Sequence, residues 1–196
     1  EKIKQVVDAR PGEIMFGLNM VVHKGKTIFV GDTSVHEYPT SEQMARIAIS
    51  ASRVVRLFGF DPKVAFVSHS TFGQPLTSRT QHIKNAVEIL KEKNVDFEFD
   101  GDMQPDVALN SEYKNLYPFS KIVGNANILI MPGQHSAAIS YKMMRELGGA
   151  KVIGPLLIGL GQPIEIAPLR SSTSDILNLA SVAAYSAGVI NYNIKD

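Results

Sequence analysis

Short apolar runs alternate with stretches of helical period along this chain, and no other feature narrows its possible folds as far. Residues 14–22 and 27–30 read as two strands about a turn at 23–26. Pro39 is followed by Thr40, Ser41, Glu42 and Gln43, a capping-box pattern in which the first and fourth residues satisfy each other's backbone amides. Met44, Ile47, Ala48, Ala51, Val55 and Phe58 then recur at helical spacing, and Gly59 stops that helix. Residues 64–67 form a short apolar run of the kind a buried parallel strand needs. Ile83, Ala86, Val87 and Leu90 predict a second helix, and residues 127–131 another buried strand. Ala138, Ile139, Met143 and Leu147 predict a third helix with that stripe as its apolar face, closed by Gly148 and Gly149. The last helix starts at Ser172, with Asp175 completing its cap and Ile176, Ala180, Ala183 and Ala187 as its stripe.

This order of elements implies right-handed crossovers and an α/β fold, a three-layer αβα arrangement about a mainly parallel sheet. Gly154, Pro155, Gly159, Gly161 and Pro163 crowd residues 154–169, which read as irregular and as the place for a break between two lobes.

Composition removes several classes of function. The chain's 196 residues suit one domain, and its 44% hydrophobic share can bury a core without staples. Twenty basic against nineteen acidic residues give a net charge of +1, so no basic surface argues for nucleic acid or membrane. With no cysteine there is no disulfide framework, thiolate metal site or cysteine nucleophile, which fits a reducing compartment. No apolar run is long enough to span a bilayer, and the first residues carry no signal-peptide pattern. The chain does not begin with Met, so a fragment of a longer protein is expected.

Open α/β sheets bind ligands beyond the carboxyl ends of their strands, which singles out three loops. The first holds Ser68, His69, Ser70, Thr71, Phe72 and Gly73, whose hydroxyls suit an anion or a thioester carbonyl, or else only satisfy loop amides. The second, Pro132 to Ser136, opens a helix. Its amides can face a phosphate, although a plain cap with an exposed His135 is the stronger reading. The third runs from Gly154 and Pro155 through Gly159 and Leu160 to Arg170, Ser171 and Ser172. There an arginine beside a helix start makes the best anion site in the chain, against plain caps and a surface charge. His69 and His135 lack a third ligand at metal spacing. Asp32, Asp100 and Asp102 read as turn and capping residues, because Asp100-Gly101-Asp102 has no metal-loop continuation.

Several motifs in order resemble the phosphate acetyl/butyryltransferase family nearly end to end. They include Gly31-Asp32-Thr33, the loop from Ser68 to Gly73, and Asp100-Gly101-Asp102-Met103-Gln104. Ile130-Met131-Pro132, Ile153-Gly154-Pro155, Gly159-Leu160 and Asp175-Ile176-Leu177-Asn178 continue the series. The first loop, and Met131-Pro132 with Ile139-Ser140-Tyr141, look most like the branch formed by the C-terminal domains of NADP-dependent malic enzymes. That resemblance implies a domain that binds acetyl-CoA as an allosteric inhibitor, through Ser68, His69, Ser70, Thr71, Gly73, Gly154, Pro155, Gly159, Leu160, Arg170, Ser171 and Ser172. It implies no catalytic residue and no cofactor in this domain, with NADP and a divalent metal held by the malic enzyme domain of the same chain.

Active transferases of the family carry a serine-arginine pair seven and six positions ahead of an aspartate. Counted back from Asp175, those positions hold Pro168 and Leu169, so the pair is missing, although Arg170 lies one residue away. Phosphate acetyltransferase activity, with Arg170 as the phosphate clamp, is the alternative. The resemblance also makes residues 1–150 a middle α/β lobe and 151–196 a segment returning to a first lobe that this chain lacks. It implies a cytoplasmic homo-oligomer.

Overall fold

The computed structural model describes residue 3 and residues 6–193; the outermost residues of the two expected segments lie outside that range. Strand β1 (Phe16–His23) and β2 (Lys26–Gly31) form an antiparallel hairpin. Helix α1 (Ser41–Leu57) begins with the expected capping box: Thr40 Oγ1 accepts from the Gln43 amide and Gln43 Oε1 accepts from the Thr40 amide. Then come β3 (Lys63–Val67), α2 (Ser78–Glu92), β4 (Glu98–Met103) and the short α3 (Pro105–Leu109). The chain continues through β5 (Ile128–Ile130), α4 (Gln134–Gly148), β6 (Lys151–Ile158), β7 (Ile164–Glu165) and α5 (Thr173–Asn193).

All seven strands join one sheet in the order β4-β3-β5-β2-β1-β6-β7. β2, β3, β4, β5 and β6 run one way and β1 and β7 the other, so the sheet is mainly parallel. The loops bearing His69 and Gly133 leave the parallel neighbours β3 and β5 at the same edge. Side chains alternate through the strands. Phe16, Leu18, Phe29, Phe66 and Ile130 pack against α1, α2 and α5 on one face. Val21, Val30, Ala65 and Leu129 pack against α3 and α4 on the other. These are the three layers. Burying a phenylalanine such as Phe66 contributes about 1.5–3 kcal/mol relative to leaving it in water.

Four expectations are corrected. Asp100 and Asp102 are not in a turn: they are buried within β4, where Asp102 Oδ2 accepts from the Ser70 hydroxyl and Asp100 Oδ2 from the Lys121 amide. The irregular stretch contains two strands. β6 pairs along most of β1, and β7 pairs with β6. Helix α4 exists, but its sheet-facing residues are Ala137, Tyr141 and Met144, while Ile139, Met143 and Leu147 are exposed. In α5, Leu179 and Val182 face the core while Ile176 and Ala180 are exposed. Both helices are apolar on more than one side, so periodicity alone does not select the side that packs.

Candidate functional site

The residues singled out from sequence occupy three separate places. Gly154, Pro155, Arg170 and Ser171 line a cleft of about 480 Å³ between α4, β6 and the start of α5. β7 pairs only with Leu156 and Leu157, which leaves the Lys151 to Pro155 side of β6 open to this cleft. Tyr141 and Arg145 of α4, and Lys151 at the head of β6, also line it. Three cations therefore line it, with Arg145 paired to Glu146 at 2.8 Å and Arg170 in the turn that precedes α5; the carboxylates of Glu146 and Asp175 line it too.

The α5 start is locally determined. Ser172 Oγ accepts from the Asp175 amide at 3.2 Å, and the Ser172 amide and hydroxyl donate to Asp175 Oδ2 at 2.9 and 2.7 Å. The Ser172 hydroxyl and amide hold the Asp175 carboxyl below the usual carboxylate range, and the charges of Lys151 and Arg145 add to this. Ser172 is thus engaged in capping. Ser171 differs: its Oγ is buried and has no partner among the described residues. A buried hydroxyl without a partner beside three cations is a ready donor to an anion.

Ser68 to Gly73 lie elsewhere. They follow β3 at the edge where β2, β3 and β5 end, whereas Lys151 and Arg170 sit at the edge where those strands begin, four places across the sheet. The loop does not border the Arg170 cleft. Its polar groups face inward: Ser70 Oγ donates to the buried Asp102 carboxylate, and Thr71 Oγ1 accepts from the Gln104 amide at 3.2 Å. Ser68 Oγ lies 3.3 Å from Ser70 Oγ, and His69 is exposed. Phe72 has φ 51°, a left-handed backbone that costs a bulky residue about 1–2 kcal/mol.

Gly159 and Leu160 occupy a third place. Leu160 is buried with Met15 and Leu157, and the Gly159 carbonyl accepts from the Arg10 amide at 3.0 Å. They border a cleft of about 510 Å³ that also holds Arg53 and Glu165. Burial pushes the Glu165 carboxyl up to about 8, against the opposing bond from the Leu157 amide, and its Oε2 has no partner among the described residues.

The loop after β2, the start of α2 and the segment after β5 meet in a further cleft of about 460 Å³ containing Arg79, His82 and His135. His135 Nε2 lies 3.3 Å from Glu37 Oε1. Asp32 is a hub: the amides of Gly17, Ser34, Val35 and His36 and the His36 ring all reach its carboxylate. Burial alone would raise its pKa, but the bonds from His36, Ser34 and Gly17 outweigh that and hold it low. Among the described residues no group of three or more His, Asp or Glu is placed to hold a metal.

Sequence reasoning missed Arg145, Lys151 and Tyr141. The available signal was two cations bracketing Gly148-Gly149, directly ahead of the strand that carries Gly154.

A profile described as Phosphate acetyl/butaryl transferase matches residues 1–184. The chain belongs to this family. An NADP-dependent malic enzyme from Rhizobium meliloti is 46% identical over 188 residues, covering 96% of this chain and 25% of that protein. A phosphate acetyltransferase from Clostridium acetobutylicum is 34% identical, covering 93% of this chain and 58% of that one. The phosphotransacetylase structure from Streptococcus pyogenes superimposes with a TM-score of 0.87 at 30% identity, covering 93% of this chain and 57% of that chain. The chain therefore spans about a quarter of that malic enzyme and rather more than half of these two transferases.

Proposed function

We propose that this chain is the acetyl-CoA-binding regulatory part of an NADP-dependent malic enzyme and does not itself transfer acetyl groups. The carrying observation is the buried, unpartnered Ser171 hydroxyl in a cleft with Arg145, Lys151 and Arg170. Those groups suit the phosphates of a CoA thioester. Pro168 borders the cleft and Leu169 is 107% exposed, at the two positions where a transferase's serine and arginine are expected. A transferase must stabilise charge that develops in the transition state, whereas a sensor needs only different affinities for two states of the attached enzyme. NADP and a divalent metal would belong to the part of the malic enzyme that this chain does not span.

Calorimetry on the full-length protein tests this reading. Arg170→Ala is expected to weaken acetyl-CoA binding by about ten- to hundredfold, or roughly 1.5–3 kcal/mol. It is also expected to relieve acetyl-CoA inhibition of NADP-linked malate oxidation. Unchanged affinity removes Arg170 from the site. The second reading, phosphate acetyltransferase activity, draws on the same Arg170 as a phosphate clamp. Robust conversion of acetyl phosphate and CoA, lost in Arg170→Ala, selects it over the first.

The same proposal places the protein in the cytoplasm as a homo-oligomer. The absence of cysteine supports the compartment, and the exposed Ile139, Met143 and Leu147 of α4 support association. No helix among the described residues is long and apolar enough to cross a membrane. A monomer in sedimentation at high micromolar concentration would remove the oligomer.

A further inference from the structure

A smaller cleft of about 310 Å³ lies beside the outer strand β4, five places across the sheet from β6. Phe72, Phe119, Lys84, Lys91, Asp100 and Lys121 line it. Lys84 and Lys91 stand two helical turns apart on one side of α2. Lys91 pairs with Glu88, and the Asp100 carboxylate accepts from the amides of Gly101 at 3.0 Å and Lys121 at 2.8 Å. Among the described residues no carboxylate forms an ion pair with the ammonium of Lys84 or Lys121.

The cleft is organised by its neighbours. The end of Lys84 lies against Gly73: a Cβ there would lie 2.8 Å from Lys84 Cε and would push the lysine end aside. Gly73 also has φ 83°, which side chains disfavour. Phe72, Tyr117 and Phe119 hold one another, with ring centroids 4.8 Å apart for Phe72–Phe119 and 5.5 Å for Phe72–Tyr117. Phe119 is nevertheless 63% exposed, so part of its ring surface is free.

We propose that this cleft binds a nucleoside diphosphate group, its base stacked on Phe119 and its phosphates paired with Lys84 and Lys121. Every nucleobase presents a π-face to an exposed ring, and an ammonium is a point-charge partner for phosphate. An inorganic anion would use the lysines but not the ring. A long nucleic acid would need a broader basic surface than a chain of net charge +1 carries. The group arrives either as a free nucleotide or as the head of a carrier such as CoA. The cleft is separate from the one that holds Arg170, so labelling lost in Lys84→Gln and acetyl-CoA affinity lost in Arg170→Ala report on different sites.

Photolabelling the full-length protein with 8-azido-ADP, followed by peptide mapping, tests it. Label is expected on the peptide containing Phe119. Lys84→Gln is expected to raise the half-saturating concentration about tenfold, with Arg170→Ala leaving it unchanged. Lys121→Gln gives the same readout if Lys84→Gln does not fold. Protection by CoA at lower concentration than ADP assigns the site to the carrier, and the reverse order assigns it to a free nucleotide. No label on that peptide, label insensitive to both lysine variants, or protection by pyrophosphate as effective as by ADP would overturn the proposal.

Discussion

Ser70 donates a hydrogen bond from its hydroxyl to the carboxylate of Asp102, and both residues are completely buried at the ends of neighbouring strands. The Phe72 amide adds a bond of 2.7 Å to the Asp102 carbonyl, so Asp102 fastens the loop after β3 from two sides. The second carboxylate oxygen, Oδ1, has no partner among the described residues. Ser70→Ala would strip the carboxylate of its remaining partner. The expected loss is about 1–3 kcal/mol, read from the urea midpoint. Adding Asp102→Ala should cost much less in that background than alone, because the two groups act as a pair. Additive losses would show that the bond contributes little.

Asp32 organises a different turn, and its prediction includes pH. Four backbone amides lose their acceptor in Asp32→Ala, which is expected to cost about 3 kcal/mol or more. Asp32→Asn should fall between, since one amide oxygen replaces only part of the carboxylate. The folded pKa lies below the ordinary 3.8, so the charged form stabilises the fold above that value. Its contribution is lost as pH falls from about 3.8 through the lowered pKa. Thermal melts should therefore show the gap between the native protein and Asp32→Asn closing only in strong acid.

Glu165 works in the opposite sense. Its folded pKa is raised from 4.5 to about 8, so the folded state holds the proton more tightly than the unfolded chain does. The resulting stability is full below 4.5 and is lost as pH rises through about 8. Glu165→Gln removes the titration and should melt higher than the native protein at pH 9, with the difference shrinking toward pH 5. A pH-independent difference would mean that the carboxyl is already charged at neutral pH.

The parts of the fold that were legible in sequence are those decided by near neighbours. Thr40 with Gln43, and Ser172 with Asp175, cap their helices because both partners lie within one turn. β4 was hidden because its carboxylates resemble turn residues until Ser70 and the Lys121 amide arrive from distant segments. The packing faces of α4 and α5 were hidden because each helix is apolar on two sides. Arg170 was legible as the cation ahead of a helix start. Its companions Arg145 and Lys151 were not, because only the passage of β6 between α4 and α5 brings them beside it.

Gly159 separates a binding role from a structural one. Its sequence context suggests a backbone left bare for a ligand, yet its missing side chain is needed for contact within the chain itself. A Cβ there would overlap the Ile14 carbonyl oxygen and lie 2.6 Å from its carbon and 3.0 Å from the Met15 amide nitrogen. Those are backbone atoms, which cannot swing away as a lysine end can. The residue also has φ 86°, so alanine meets both strain and overlap. Gly159→Ala is expected to lower stability by about 2–4 kcal/mol, chiefly through overlap with the backbone that leads into β1. Urea unfolding measures that loss, and acetyl-CoA titration below the unfolding transition measures binding by the fraction still folded. Reduced stability with unchanged affinity assigns Gly159 to the architecture. Native stability with weakened affinity would restore it to the binding surface.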